Sequence, residues 1–148
     1  MGASGRRTRR SLPGFSQLWA AYPSQIKPCD QTLRDGSLAW ANQCAIRLSI
    51  ALERAGFPLT GYTDPTLKHG HARGAESLAN YLWGQVGPPG DQSTETSEIQ
   101  GKRGNVFFRN IAGFRGGIGD HIDLWNLNRT QTGEYFQISK AVWFWELR

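Results

Sequence analysis

The spacing of apolar residues predicts three helices in the first part of the chain. They cover residues 14–22, 42–55 and 75–83. Pro23 ends the first helix, because the residue before a proline disfavours the helical conformation. Asn42 suits the N-cap of the second helix, and Gly56 stands where helices commonly end.

Alternating apolar and polar positions predict strands in the second part of the chain. The predicted strands are residues 105–111, 121–125, 135–138 and 141–147. Residues 87–102 are polar and rich in Gly, Pro, Ser and Thr, which indicates an exposed insertion. Helices followed by antiparallel strands predict an α+β fold, with the N-terminal helices packed on one face of an antiparallel sheet.

The 148 residues suit one domain, and the net charge of +5 comes mostly from the N-terminus. Four of the positive charges are Arg6, Arg7, Arg9 and Arg10. We therefore expect residues 1–13 to be a disordered basic arm and residues 14–148 to be the folded domain. No basic stripe continues beyond the arm, so a nucleic-acid partner is not expected.

No run of about 18 apolar residues occurs, which predicts no membrane insertion. No apolar segment follows the basic N-terminus, so no secretory signal peptide is visible. We expect synthesis in the cytoplasm and, if the protein acts outside, export by a route that reads no signal peptide.

The two cysteines lie in different contexts, and Cys44 is the candidate nucleophile. Cys29 is in a polar stretch, whereas Cys44 begins an apolar helical pattern. A thiol in the first helical turn ionises more readily, and the thiolate is the reactive form. The N–H groups at that helix start, near Asn42 and Gln43, can also hold an oxyanion. A buried structural cysteine fits this segment equally well.

His121 is the candidate base, because it begins a predicted strand directly after a glycine-rich loop. Strand alternation places Ile122 and Leu124 toward the core and His121 and Asp123 toward a cleft. Histidine is the usual base for a cysteine nucleophile. A structural histidine at a strand start is the alternative, which Cys44 disfavours.

A third side chain should orient the imidazole, and Asp123 is the first choice. Neighbouring side chains on one face of a strand lie roughly 6–7 Å apart at the backbone, so contact is feasible. Asn126, Thr132 and Glu134 are the alternatives that the sequence leaves open.

The substrate is expected to contact residues near both candidate side chains. The loop 113–119 lacks bulk and would let an extended peptide approach His121 closely. Trp125 shares the His121 face and is the candidate cleft wall. The predicted substrate contacts are Asn42, Gln43, Gly119, Asp120 and Trp125. His69 and His71 lack a third ligand nearby, so neither a metal nor another cofactor is expected.

Several segments together resemble a known family. They are Asn-Gln-Cys-Ala-Ile-Arg, Gly-Phe-Pro-Leu-Thr-Gly-Tyr, His-Gly-His-Ala-Arg-Gly-Ala, Gly-Asp-His-Ile-Asp-Leu-Trp-Asn and Val-Trp-Phe-Trp-Glu-Leu. The chain is similar in these segments to the fourth family of type VI secretion amidase effectors. The resemblance covers most of residues 14–148, apart from residues 85–103.

The resemblance implies a papain-like (NlpC-type) cysteine amidase with Cys44 as nucleophile and His121 as general base. Such enzymes cut peptidoglycan stem peptides between D-glutamate and meso-diaminopimelate, and a cognate immunity protein blocks them. Delivery by the secretion machinery would bring the toxin to the target-cell periplasm. Some members place an aspartate about a dozen residues after the histidine. Thr132 or its neighbours hold that distance here, which leaves Asp123 as the substitute.

Two rival functions remain open at the level of sequence. One is a non-enzymatic module that binds cell wall or carbohydrate through its aromatic residues and glycine loops. The other keeps the papain-like fold but deamidates or transglutaminates a protein substrate.

Overall fold

The computed structural model describes residues 9–23, 34, 44–62, 72, 74–92, 95–113, 117 and 119–148. Its helices are α1 (Phe15–Ala21), α2 (Cys44–Arg54) and α3 (Ala75–Val86), and a short 3-10 turn covers Thr96–Glu98. Its strands are β1 (Arg103–Ile111), β2 (Gly119–Asn126), β3 (Arg129–Thr130) and β4 (Ser139–Glu146). The sheet order is β3-β2-β1-β4, with every neighbouring pair antiparallel. The α+β prediction is confirmed.

The predicted strand at 135–138 is wrong. The structure has a turn there, in which Gln137 takes a positive φ of 67°. Tyr135 and Phe136 pack on the sheet instead of pairing with it, and the Ser139 hydroxyl donates to the Tyr135 carbonyl. The strand that pairs with β2 on the side away from β1 is the two-residue β3, which follows a tight turn at Leu127, where φ is 63°.

The sheet separates two apolar clusters. The helix-side cluster joins α1, α2 and α3 to the side chains of Phe107, Ile122 and Leu124. The opposite cluster contains Val106, Phe108 and Trp125 from the alternate positions of the same strands. The expected inward orientation of Ile122 and Leu124 is therefore confirmed.

Ile99 corrects the expectation for residues 87–102. It lies within this polar segment, yet it is buried in the opposite cluster, and its carbonyl accepts a hydrogen bond from the Trp125 indole at 3.0 Å. The segment therefore covers one end of the sheet and is not wholly exposed.

The end of the expected basic arm packs against the domain. The Arg10 guanidinium lies 3.6 Å from the centre of the Phe57 ring and donates to the Tyr81 hydroxyl and the Pro58 carbonyl. Leu12 contacts the helix-side cluster. The expected boundary at residue 13 is thus corrected for residues 9–13, while residues 1–8 lie outside the described part of the chain. Within that part, no helix is long and apolar enough to cross a membrane.

Candidate active site

Cys44 is the first residue of α2, the helix that packs against β2. The helix is held there because Ala45, Leu48 and Leu52 bury one face in the helix-side cluster. The Cys44 side chain is 6% exposed and forms no disulfide. It makes a hydrogen bond with His121. Packing of the helix therefore brings the thiol to the imidazole.

His121 is held on β2 between two aromatic rings. It lies opposite Phe108 in the pairing of β1 and β2, and the two rings stack with their centres 6.1 Å apart. Tyr135 approaches edge-on, at 5.1 Å between ring centres. The histidine is only 4% exposed, so its ring is fixed by packing as well as by hydrogen bonds.

Asp123 contacts the imidazole directly, with its Oδ2 2.8 Å from His121 Nε2. The carboxylate is fully buried and also accepts hydrogen bonds from three backbone N–H groups. These belong to Leu124 (2.7 Å), Gln131 (3.1 Å) and Thr132 (3.0 Å). The carboxylate therefore has a fixed orientation, and it ties the loop after β3 to the middle of β2.

Thr132 completes this arrangement. Its hydroxyl lies 2.6 Å from Asp123 Oδ2 and 3.2 Å from His121 Nε2. A hydroxyl donates one hydrogen, and the ionised carboxylate only accepts, so Thr132 donates to Asp123. Nε2–H of His121 is then shared between the carboxylate and the hydroxyl oxygen, which leaves Nδ1 for Cys44.

The environment raises the pKa of His121 from 6.5 to about 9. Burial alone would lower this pKa, because it disfavours the charged imidazolium. The hydrogen bonds and charges of Asp123 and Cys44 outweigh burial. The imidazole is therefore positively charged at neutral pH, with the Cys44 sulfur and the Asp123 carboxylate as its hydrogen-bond partners.

Tyr22, at the end of α1, is a neighbour that the sequence did not single out as part of the site. Its side chain is 6% exposed, and the pKa of the phenol is strongly raised by burial and by the nearby charge of Asp123. Thr132 and Arg47 oppose that rise. The phenol therefore stays protonated, near Asp123 and Thr132.

Two alternatives for the third position lie elsewhere. Asn126 accepts a hydrogen bond from Arg103 at the far end of β2. Glu134 accepts one from the Thr130 backbone. Their side chains make these structural contacts, so only Asp123 and Thr132 among the four candidates hydrogen-bond to the imidazole.

The expected substrate contacts differ in how far the structure buries them. Trp125 is 1% exposed, which corrects the expectation of a cleft wall: the buried indole is covered by Ile99. Gly119 is also buried, opposite Ile111, and offers no surface to a substrate. Asp120 accepts a hydrogen bond from the Asn110 backbone, and its role in binding stays a prediction.

Asn42, Gln43, His69 and His71 lie outside the described residues. Among those that the structure describes, no three His, Cys, Asp or Glu side chains group as metal ligands would.

Helices packed on an antiparallel sheet, with a helix-borne cysteine against a strand histidine, define a papain-like protein of the NlpC type. Residues 40–145 match the family model of Tae4, the type VI secretion system (T6SS) amidase effector protein 4. Because this match covers more than half of the chain, the chain belongs to the Tae4 family. The expected resemblance is confirmed, and the protein is an enzyme of the peptidoglycan amidase class and an antibacterial effector.

Solved structures share the fold. One is the Tae4 effector of Salmonella typhimurium in complex with the immunity protein Tai4 from Enterobacter cloacae. It matches with a TM-score of 0.73 at 19% identity, and the alignment covers 92% of this chain and 99% of that chain. Tae4 of Enterobacter cloacae has a TM-score of 0.71 at 19% identity, covering 95% and 100%. No protein with a curated function matches the sequence significantly.

Proposed function

We propose that the enzyme hydrolyses the bond between D-glutamate and meso-diaminopimelate in peptidoglycan stem peptides, with Cys44, His121 and Asp123 as its catalytic residues. The observation that carries the mechanism is the chain of side-chain contacts from Cys44 to His121 and from His121 to Asp123. Membership of an amidase family supports the reaction class. The choice of bond rests on the family resemblance in the sequence.

The acylation step begins with the Cys44 sulfur, which attacks the amide carbonyl carbon as a thiolate. A sulfur–carbon bond forms, and the carbonyl electrons move to oxygen to give a tetrahedral oxyanion. Collapse of this species breaks the carbon–nitrogen bond, and the His121 imidazolium gives its proton to the leaving amine. The raised pKa of His121 supports this role, because the ring already holds the proton at neutral pH.

The deacylation step releases the second product. The now neutral His121 takes a proton from water, whose oxygen attacks the thioester carbonyl. The sulfur–carbon bond breaks, the acid product leaves, and the thiolate and imidazolium are restored. Water is consumed once per bond cut, and no cofactor enters the balance.

Asp123 is proposed as the third catalytic residue, with Thr132 as its support. A carboxylate at Nε2 stabilises the imidazolium, whereas a neutral hydroxyl stabilises it less. The 2.8 Å contact with His121 and the backbone N–H groups that hold the carboxylate support this assignment. Thr132 lies close enough to orient both groups.

The biological setting is proposed from the family. The solved relatives include complexes of Tae4 with Tai4 immunity proteins, which supports a cognate immunity protein as a partner of this chain. The family's name supports delivery by the type VI machinery. Stem peptides lie in the periplasm, so we propose that the enzyme acts there in the target cell.

Digestion of purified sacculi tests the proposal. Mass spectrometry of the wild-type digest should show products cut between D-glutamate and diaminopimelate, and Cys44→Ala should give none. Cys29→Ala is the matched control and should cut like the wild type. Intact stem peptides, cutting at another bond, or lysis by Cys44→Ala would each contradict the proposal. Release of ammonia from a protein without cutting of sacculi would indicate a deamidase.

A further inference from the structure

We propose that Tyr135 is a substrate-contacting residue of the amidase cleft, whose phenol donates a hydrogen bond to an oxygen of the stem peptide. The inference rests on the proposed function and names a determinant of substrate binding at the same site. Tyr135 takes the place that the sequence led us to expect for Trp125.

Tyr135 both contacts the site and reaches its surface. Its ring lies edge-on to His121, with centres 5.1 Å apart at 75°, and edge-on to Phe108 at 5.7 Å. The residue is partly exposed, whereas Cys44 and Asp123 are buried. A peptide that brings its carbonyl carbon to the Cys44 sulfur must pass the accessible edge of the site, and Tyr135 is an aromatic side chain at that edge.

The charge near Tyr135 determines which form of the phenol the substrate meets. Burial raises its pKa, and Cys44 and Asp123 raise it further because a phenolate would be repelled by their negative charges. The hydroxyl thus remains a hydrogen-bond donor across the working pH range. Carbonyl and carboxylate oxygens accept such bonds, and a stem peptide offers both.

Gly133 leaves the space that the phenol occupies. A Cβ atom at this position would lie 2.7 Å from the Tyr135 hydroxyl oxygen and 3.1 Å from the adjacent ring carbon. The backbone on both sides is fixed, because Gly133 N–H donates to the Thr130 hydroxyl and Ser139 donates to the Tyr135 carbonyl. An added methyl group therefore displaces the phenol more readily than the loop.

The geometry separates binding from chemistry in a way that kinetics can measure. Removing a hydrogen bond to substrate that is equally strong in the ground and transition states raises KM and leaves kcat unchanged. One such neutral bond corresponds to about a 3- to 10-fold change. We expect Tyr135→Phe to raise KM for a soluble muropeptide by this factor, and Gly133→Ala to change KM in the same direction.

Tyr81→Phe is the matched control. Tyr81 is also partly exposed, and its hydroxyl donates to the Thr60 carbonyl and accepts a hydrogen bond from Arg10. Its KM and kcat should equal those of the wild type. The pH profile of Cys44 alkylation by iodoacetamide should be unchanged in Tyr135→Phe, because the contacts among Cys44, His121 and Asp123 remain.

Calorimetry supplies a readout without turnover. Cys44→Ala should bind the muropeptide, and the double variant Cys44→Ala with Tyr135→Phe should bind it about 3- to 10-fold more weakly. Equal binding by both, or a shifted alkylation profile with unchanged KM, would overturn the role of Tyr135 while leaving the proposed function intact. A wild type that neither binds nor cuts stem peptides would overturn both.

Discussion

The two faces of the sheet have the same alternating pattern but different contents. On the helix side, Ile122 and Leu124 of β2 pack into a cluster of apolar residues that joins all three helices. On the other face, Trp125 belongs to an apolar cluster, whereas His121 and Asp123 on the same strand form a polar contact. The helix side therefore holds the larger core and also Cys44, at the start of α2, whereas the other face combines a smaller core with His121 and Asp123.

The difference within the second face comes from what covers it. Ile99 covers Trp125 and accepts its indole hydrogen bond, so this end of β2 is core. The loop after β3 covers Asp123, whose carboxylate accepts hydrogen bonds from the backbone N–H groups of Gln131 and Thr132. The other two positions of β2 on this face therefore hold a carboxylate, Asp123, and an imidazole, His121. A strand sets the face of each side chain, but other segments decide whether that face is apolar or polar.

Asp123→Asn should produce the largest change and affect activity more than folding. The amide has nearly the same shape but loses the charge that stabilises imidazolium, and it can reverse the preferred tautomer of His121. We expect kcat/KM on muropeptide to fall by up to about 10⁴-fold, the loss that the corresponding carboxylate-to-amide change causes in a Ser-His-Asp triad. Steady-state kinetics with circular dichroism of the folded protein checks this.

Thr132→Val separates the two groups that contact Nε2. It removes only the hydroxyl and keeps the backbone N–H that holds Asp123. A loss of about 10-fold is expected, well below that of Asp123→Asn. A larger loss at Thr132 than at Asp123 would transfer the third catalytic role to the threonine.

Leu82→Ala should produce the opposite result on the helix-side face. Leu82 of α3 is fully buried in that cluster, and truncation leaves a cavity. We expect the free energy of unfolding in urea to fall by about 2–5 kcal/mol, with kcat/KM per folded molecule nearly unchanged. Leu127→Ala, at an exposed leucine, is the control and should change stability by less than about 0.5 kcal/mol. Loss of activity in folded Leu82→Ala would contradict a purely structural role for Leu82 in the helix-side core.

Periodicity predicted the parts of the fold that depend on local sequence. It predicted α1, α2 and α3, because their apolar faces repeat at helical spacing. It also predicted the inward face of Ile122 and Leu124. The contact between His121 and Asp123 follows the same rule, since residues two apart in a strand share a face.

Periodicity could not predict which side chains of the sheet are covered by segments distant in the sequence. Trp125 is buried by Ile99, which lies in a polar segment with no apolar periodicity. Tyr135 lies beside His121 because residues 135–138 turn over the sheet, although their apolar residues are also typical of a strand. β3 has two residues, too few for any period to be visible.

The pH dependence of stability provides the finest test of the polar contact. The pKa of His121 is about 9 in the folded protein, against about 6.5 for an unperturbed histidine in the unfolded chain. Below pH 6.5 both states hold the proton, and the stabilisation is fully present. Between pH 6.5 and 9 the folded state binds more protons than the unfolded state, so the free energy of unfolding falls as pH rises.

The size of that fall follows from the pKa difference and sets the expected result. It amounts to at most about 3 kcal/mol, because each pKa unit corresponds to about 1.4 kcal/mol. Urea unfolding of the wild type at pH 6.5 and at pH 9 should show the decrease, and His121→Gln, which has no group titrating there, should show a flatter profile. Asp123→Asn should also flatten it, since the carboxylate is a principal cause of the raised pKa. A wild-type stability that stays constant or rises over this range would mean that His121 is neutral in the folded protein. The face of the sheet opposite the helices would then hold a hydrogen-bonded imidazole and no ion pair.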